Sequence, residues 1–364
     1  MPLITIMIPV YNGEQFVAEA VQSALSQPLK DIEVLLLNDG STDGTYEICN
    51  KLALSDSRIT VSHHENVGLG ENRNRGYNLI HGKWLIFLDH DDVLIPDVLS
   101  EGLSDSLMLC DEADVGMIVT SRTRGDAHLS NLFLDPIPLN GLHEASDGCS
   151  WQLPYELATN IYRSRVVLDN NLRFETSRPE MESIFRHQAA YLSGKIIFCR
   201  DASLEIRRGS STQITRTWNQ LHMRAVRIAG YSKLPEWHRE HKGISVDINR
   251  AYAALSKTIE EFFLCALIEH ASFDAMTEAL QGASVPKSAL EQNKHYSVRT
   301  NRILKFYHEH KKTSIRLISF TYGVEHLINK YRNHLSGIDE SQPITQNKLE
   351  AMASSLPQEI VRNL

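Results

Sequence analysis

The sequence predicts an α/β fold: a mixed, mostly parallel sheet flanked by helices, followed by an α-helical C-terminal region. Three observations predict it. Short apolar runs at Ile4–Val10, Ile32–Leu37 and Trp84–Leu88 read as strands buried on both faces. Amphipathic stretches alternate with them, as in Glu14–Ser26, where Phe16, Val17, Ala20, Val21, Ala24 and Leu25 share one helical face. From Trp218 onward the pattern is helical without intervening strands.

Taken in order, Ile4–Val10 runs into Tyr11-Asn-Gly13, and the helix Glu14–Ser26 follows. Ile32–Leu37 enters the turn Asn38–Gly44, whose hydroxyls suit the cap of a helix over Thr45–Leu54. Ile59–Ser62 is a short strand, and Asn66-Val-Gly68 is a turn. A helix over Gly70–Ile80 ends at Gly82. After the Trp84 strand, Pro96 suits the first turn of a helix over Pro96–Leu109. Val115–Thr120 is a strand, and Arg122–Ser150 reads as a long loop of the kind that forms lids. A helix over Pro179–Leu192 stops at Gly194, before the strand Lys195–Cys199. Helices are expected over Ala251–Glu269, Val298–His310 and Ser314–Leu335. The expected domains are 1–214, with halves at 1–120 and 121–214, a helical region 215–336, and a linker with a short helix at 337–364.

Composition sets limits. The 364 residues are 42% hydrophobic and 23% charged, ordinary for a soluble globular chain, with no apolar run long enough for a membrane span. The N-terminus lacks the basic start and cleavage site of a signal peptide. Five scattered cysteines without a C-x-x-C fit reduced core thiols and a cytoplasmic location. His63, His64 and His90 lack the spacing of a zinc site. The net charge is −8, yet residues 293–335 carry nine Lys and Arg against Glu309 and Glu325. That basic segment is either a membrane-surface helix pair or the solvated face of a helical subdomain. A nucleic-acid partner is not expected of an acidic chain without a recognised module.

Asp89, Asp91 and Asp92 follow directly on the Trp84–Leu88 strand. Carboxylates packed this closely repel one another unless a cation sits among them. The carboxyl end of a parallel strand is the ligand crevice of an open α/β sheet, and a divalent metal holding phosphates fits there. A solvated acidic turn, or Asp92 capping the next helix, fits the same spacing without a metal.

Several short motifs occur in a particular order: Ile8-Pro-Val-Tyr-Asn-Gly13, Leu37-Asn-Asp-Gly-Ser-Thr-Asp-Gly44, Asn66-Val-Gly68, Glu71-Asn-Arg-Asn-Arg-Gly76, Gly82, and Phe87-Leu-Asp-His-Asp-Asp92 with Pro96-Asp97. Asn160-Ile-Tyr-Arg163, Leu172-Arg-Phe174 and a weaker match near Glu182 come later. The set resembles the family-2 inverting glycosyltransferases of the GT-A fold, of the bacterial surface-polysaccharide type, over residues 1 to 212.

That resemblance implies transfer of a sugar from a UDP-sugar to an acceptor hydroxyl by a single in-line displacement, in capsule, lipopolysaccharide or exopolysaccharide assembly. It implies that Asp39 accepts the uracil N3–H, Tyr11 stacks on the base beside Pro9, and Arg73 reaches the base or diphosphate. Asp89 would bind ribose, and Asp91, of the DXD motif, would ligate Mn2+ or Mg2+. Asp92 would face the donor sugar or support the metal. Relatives carry Glu-Asp at the start of the Pro179 helix; this chain has Glu180-Met181-Glu182, so Glu182 is the candidate base and Glu180 the second choice. Glu205 stands where relatives often have a His, two residues before Arg207. Arg207, Arg208, Ser210 and Ser211 are a candidate loop over the diphosphate.

Each assignment has a plainer alternative: Tyr11 as a packed aromatic, Asp39 and Asp43 as turn and cap residues, and Arg73 paired with Glu71 or Asp91. The acceptor is a glycan or lipid-linked glycan, which residues 298–335 would approach at the inner membrane surface. Two rival functions are a catalytically silent nucleotide-sugar-binding or scaffolding module and a sugar nucleotidyltransferase. The latter needs a Gly-rich basic loop that Pro9-Val-Tyr-Asn-Gly13 lacks.

Overall fold

The computed structural model describes residues 1–125, 133–135, 139–145, 157, 159–175, 182–208, 220–241, 245–268, 271 and 273–309. They fall into two compact units that divide between Ser210 and Ser211.

The first unit is built on a ten-stranded sheet: β1 (Ile4–Val10), β2 (Ile32–Asp39), β3 (Ile59–His64), β4 (Trp84–Phe87), β5 (Val93–Leu94), β6 (Val115–Gly125), β7 (Phe133–Asp135), β8 (Gly141–Glu144), β9 (Asn160–Arg163) and β10 (Lys195–Arg208). The spatial order is β3-β2-β1-β4-β9-β6-β10-β5, with β7 on β6 and β8 on β10. β1 runs parallel to β2 and β4, β2 to β3, and β6 to β10, whereas β9 lies antiparallel between β4 and β6. The chain order reverses between β1 and β4, so the crevice beyond their carboxyl ends is the place where an open sheet receives a ligand.

Strand alternation sends Ile4, Ile6 and Ile8 to one face, against Val17 and Val21 of α1 (Val17–Leu25), Cys49 of α2 (Thr45–Ser55) and Leu103 and Leu107 of α4 (Glu101–Glu112). Met7, Leu35, Leu37 and Phe87 go to the other face, with Tyr77, Phe174, Phe185 and Ala189. That face carries α3 (Leu69–Gly76) and α6 (Glu182–Tyr191). A short α5 (Ser164–Asp169) follows β9.

Several boundaries differ from the sequence reading, each for a local reason. α1 begins at Val17 rather than Glu14, because the Glu14 N–H and carboxylate are engaged by Asp43 and Gly44. Pro96 does not open a helix. It sits in a turn closed by Val98 N–H to the Ile95 carbonyl, with Asp97 left-handed at φ +58°. α3 ends at Gly76 and continues as a 3-10 turn over Tyr77–Leu79. Gly82 is not a left-handed cap: a Cβ there would lie 2.4 Å from the Thr5 nitrogen, so Gly82 permits close approach to β1. Arg122–Ser150 is not wholly loop, since β6 runs to Gly125 and β7 and β8 pair with β6 and β10. β10 continues beyond Cys199 through a register shift before Ser203 and reaches β5.

The second unit packs α7 (Gln220–Tyr231), α8 (Leu234–Glu240), α9 (Ser245–Ile268), α10 (Phe273–Gly282) and α11 (Val298–Glu309). Its core includes Leu221, Ile228, Leu255, Ile259, Phe262, Met276 and Leu304. Ser297 Oγ accepts the Thr300 N–H at 2.9 Å and donates to Glu260 at 2.7 Å, which caps α11 and fastens it to α9. The described part of the basic segment therefore buries Leu304 within its own helical unit, and residues 310–335 lie outside the described residues. No described helix is long and apolar enough to cross a membrane. Cys49, Cys110, Cys199 and Cys265 are buried thiols outside any disulfide; burial, with Asp43 nearby, pushes Cys49 up to about 11, and burial pushes Cys110 up to about 12.

Candidate active site

Three strand ends deliver the site. β1 delivers Pro9, buried within the strand, and then Tyr11, which is 46% exposed. The loop after β1 is laced to the loop after β2. Asn12 N–H donates to Ser41 Oγ at 3.0 Å, Thr42 N–H to Asn12 Oδ1 at 2.8 Å, and Gly13 N–H to Thr45 Oγ1 at 2.8 Å. Asp43 accepts the Thr45 and Glu14 N–H groups, so it is a turn residue.

Asp39, at the end of β2, is 3% exposed, and its two carboxylate oxygens accept the N–H groups of Val67 and Gly68 at 2.8 and 2.9 Å. It thereby fixes the Asn66-Val-Gly68 turn, while a carboxylate's four lone-pair sites leave further accepting capacity. His64 stands beside it, 3.5 Å from Asp39 Oδ1, with its ring nitrogens against the Glu65 carbonyl and Asn72 Oδ1 at 2.9 Å each. The adjoining His63 is held low, first by burial and then by His64.

β4 delivers the acids. Carboxylate oxygens of Asp89, Asp91 and Asp92 lie within 4.8 Å of one another, the one such group of possible metal ligands among the described residues. All three offer hard oxygen donors, the ligand type that Mg2+ and Mn2+ take, so the residues present fit a divalent cation. The segment is anchored at both ends: Leu88 N–H donates to the Met7 carbonyl at 3.0 Å, and Val93 and Leu94 pair with Ile206 and Glu205 of β10.

Arg73 of α3 lies at the centre. It is 2% exposed, donates to Glu182 at 2.5 Å and to Asp89 at 3.0 Å, and lies 5.2 and 5.7 Å from the centroids of the Phe174 and Phe87 rings. Burial alone would draw its pKa down; the Glu182 and Asp89 carboxylates outweigh that and hold it above the usual value. Arg73 thus meets Glu182 and Asp89, whereas Glu71 meets Arg75. The structure brings the candidate base Glu182 to the acid cluster through this one guanidinium. Glu180 lies outside the described residues, as do the side chains of Glu205, Arg207 and Arg208 and all of Ser210 and Ser211.

Sequence reasoning gave Arg73 a role and passed over its neighbours. Asn72 donates to the Leu37 carbonyl at 2.9 Å, and Asn74 exchanges two hydrogen bonds with the Phe174 backbone. Two asparagines inside an eight-residue helix, where the residue is a poor helix former, were the available signal.

A switch-point crevice with this carboxylate cluster, in a mixed sheet flanked by helices, defines the GT-A class of α/β fold. Residues 5–124 match the family model described as Glycosyl transferase family 2. The glycosyltransferase GlyA of Streptococcus pneumoniae serotype 4 is 27% identical over 234 residues, 61% of this chain and 33% of that protein. The chain thus spans about a third of that relative's length. Among solved structures, TarS 1-349 of S. aureus in complex with UDP-GlcNAc superposes with a TM-score of 0.62 at 17% identity, covering 92% of each chain. The mannosyltransferase PcManGT from Pyrobaculum calidifontis, in complex with GDP-Man and Mn2+, superposes with a TM-score of 0.51 at 12% identity, covering 94% of this chain and 88% of that one.

Proposed function

We propose that this chain is a metal-dependent inverting glycosyltransferase that moves a sugar from a UDP-sugar to an acceptor hydroxyl in bacterial surface-glycan assembly. The carrying observation is the cluster of Asp89, Asp91 and Asp92 at the switch-point crevice, within reach of Arg73 and Glu182. Tyr11 offers an exposed ring on which a uracil stacks, and Asp39 an acceptor for its N3–H. Asp91, with Asp89 and Asp92, would hold Mn2+ or Mg2+, which when bound supplies Lewis-acid neutralisation of the diphosphate's charge. Glu182 takes the proton of the acceptor hydroxyl as that oxygen attacks the anomeric carbon from the face opposite the departing UDP, which inverts the centre. Such a base contributes about 10²- to 10⁴-fold. The solved neighbours with UDP-GlcNAc and with GDP-Man and Mn2+ support a nucleotide-sugar donor and a divalent ion. The acceptor in this reading is a lipid-linked or free glycan, met at the cytoplasmic side, with the basic segment 298–335 toward the membrane surface.

The test is nucleotide release from a panel of UDP-sugars and GDP-mannose, with Mn2+, Mg2+ or EDTA. Metal-dependent release from a UDP-sugar, lost in Asp91→Asn and reduced in Glu182→Gln, is expected. Binding of UDP without turnover of any donor, across a range of added acceptor glycans, would leave the silent binding module as the better reading.

A further inference from the structure

α3 projects three consecutive side chains to three different parts of the first unit. Asn72 reaches the end of β2, Arg73 reaches the acids and Glu182, and Asn74 reaches the segment that precedes Glu182. Asn74 Nδ2 donates to the Phe174 carbonyl at 2.8 Å, and Phe174 N–H donates to Asn74 Oδ1 at 2.8 Å. A carboxamide used this way reads a backbone as a neighbouring strand would, with both donor and acceptor satisfied. It fixes the residue in position and in rotation about the chain axis.

What it fixes is in contact with Glu182's helix. The Phe174 ring stacks on Phe185 with centroids 4.1 Å apart and planes at 17°, and Phe185 lies three residues after Glu182, on the same side of α6. The same Phe174 ring lies beside the Arg73 guanidinium that holds the Glu182 carboxylate. The close contact is reinforced at Gly70, where a Cβ would lie 2.6 Å from the Glu175 carbonyl oxygen. Phe174 is therefore held by Asn74 and Glu182 by Arg73, both from one helix.

We infer that Asn74 is a positioning residue for Glu182: its two-bond clamp on the Phe174 backbone sets, through the Phe174–Phe185 stack, where the Glu182 carboxylate stands. This rests on the reading of Glu182 as the acceptor base. Asn74 touches neither donor nor metal in this account; it acts on one half of the site from the other.

The experiment is a double-mutant cycle on turnover of the UDP-sugar that wild type consumes, with UDP affinity in Mn2+ and thermal midpoint measured alongside. Asn74→Ala is expected to lower kcat by about 10- to 100-fold, the scale of a misplaced catalytic group, with UDP affinity within about twofold of wild type. In a Glu182→Gln background the same substitution is expected to cost almost nothing further, because residues acting as a unit are non-additive. Phe174→Leu keeps the clamp and removes the ring stack; it is expected to lower kcat in the same non-additive way, and it carries the cycle if Asn74→Ala does not fold. Full additivity with Glu182→Gln, or UDP affinity falling in step with kcat, overturns the inference and leaves Asn74 a stability residue. A wild type that turns over no donor overturns the reading of the site itself, and this inference with it.

Discussion

Arg73 and Glu182, 109 residues apart in sequence, meet at 2.5 Å over a guanidinium that solvent scarcely reaches. Asp89 completes the group at 3.0 Å, so two carboxylates share one buried cation. Removing that cation leaves them facing each other across a low-dielectric gap. Arg73→Met is expected to cost about 3 kcal/mol, the low end for breaking a buried pair, because Asp89 and Glu182 keep 34% and 26% of their side-chain surface in solvent. A fall in the urea midpoint at constant m-value measures it. A cost under about 1 kcal/mol would show the contacts to be worth no more than a surface pair.

Tyr11 separates binding from stability. The residue is 46% exposed and lies outside the strand core, so truncation is felt less in packing than in binding. Tyr11→Ala is expected to weaken UDP by about 5- to 100-fold, the worth of a base–aromatic stack, with no change in thermal midpoint. Tyr11→Phe should bind as wild type does. Calorimetric titration with UDP and Mn2+ decides it, and equal affinity in Tyr11→Ala rules out the stacking role.

Gly82 tests the close approach to β1. An added methyl would meet the Thr5 nitrogen at 2.4 Å and the Ile4 carbonyl carbon at 2.7 Å, both backbone atoms of a central strand. Gly82→Ala is expected to destabilise by about 1–3 kcal/mol through overpacking. Gly102, inside α4, has only Ser100 Oγ near the corresponding position, at 4.0 Å. Gly102→Ala should stabilise by about 0.5–1 kcal/mol. Chemical denaturation of the two variants, with opposite signs expected, checks both.

Asp43 gives a pH dependence with a defined sign. Burial would raise its pKa, but hydrogen bonds from the Thr45 side chain and from the Thr45 and Glu14 backbone hold the carboxyl below its ordinary 3.8. The unfolded chain therefore takes up the proton more readily. The contribution is complete above the unfolded value and is lost as pH falls through the folded one. The stability gap between wild type and Asp43→Asn is expected to narrow as pH falls from about 5 to about 3. A gap independent of pH would assign Asp43 no titrating role.

Much of the first unit was legible because its strands are apolar on both faces. Ile4–Val10 and Trp84–Phe87 leave little room for another reading, and the acids follow the second directly. What sequence did not show lies in contacts without a periodic signal. The β5 strand is two residues long, shorter than any pattern, and exists only because β10 pairs with it. In β10, Arg200-Asp201 breaks the apolar run after Cys199, whereas the sheet continues through a register shift. The Pro96-Asp97 turn resembles a helix start in sequence, because Pro suits the second position of a turn as well as the first of a helix. In the site, each acid was visible, but the partners of the Arg73–Glu182 pair lie 109 residues apart in sequence. No local spacing encodes such a pair.

Leu88–Asp92 is tied into the sheet at both ends, by Leu88 on β1 and by Val93 and Leu94 on β10. Side chains in a strand alternate between faces, so one residue more or fewer in that segment would turn Val93 and Leu94, now 4% and 2% exposed, to opposite faces, or else break their pairing. The number of residues in the loop is therefore as constrained as their charge. An acid substituted in place leaves the strand register as it is, whereas an insertion or deletion beside it is felt across the far edge of the sheet.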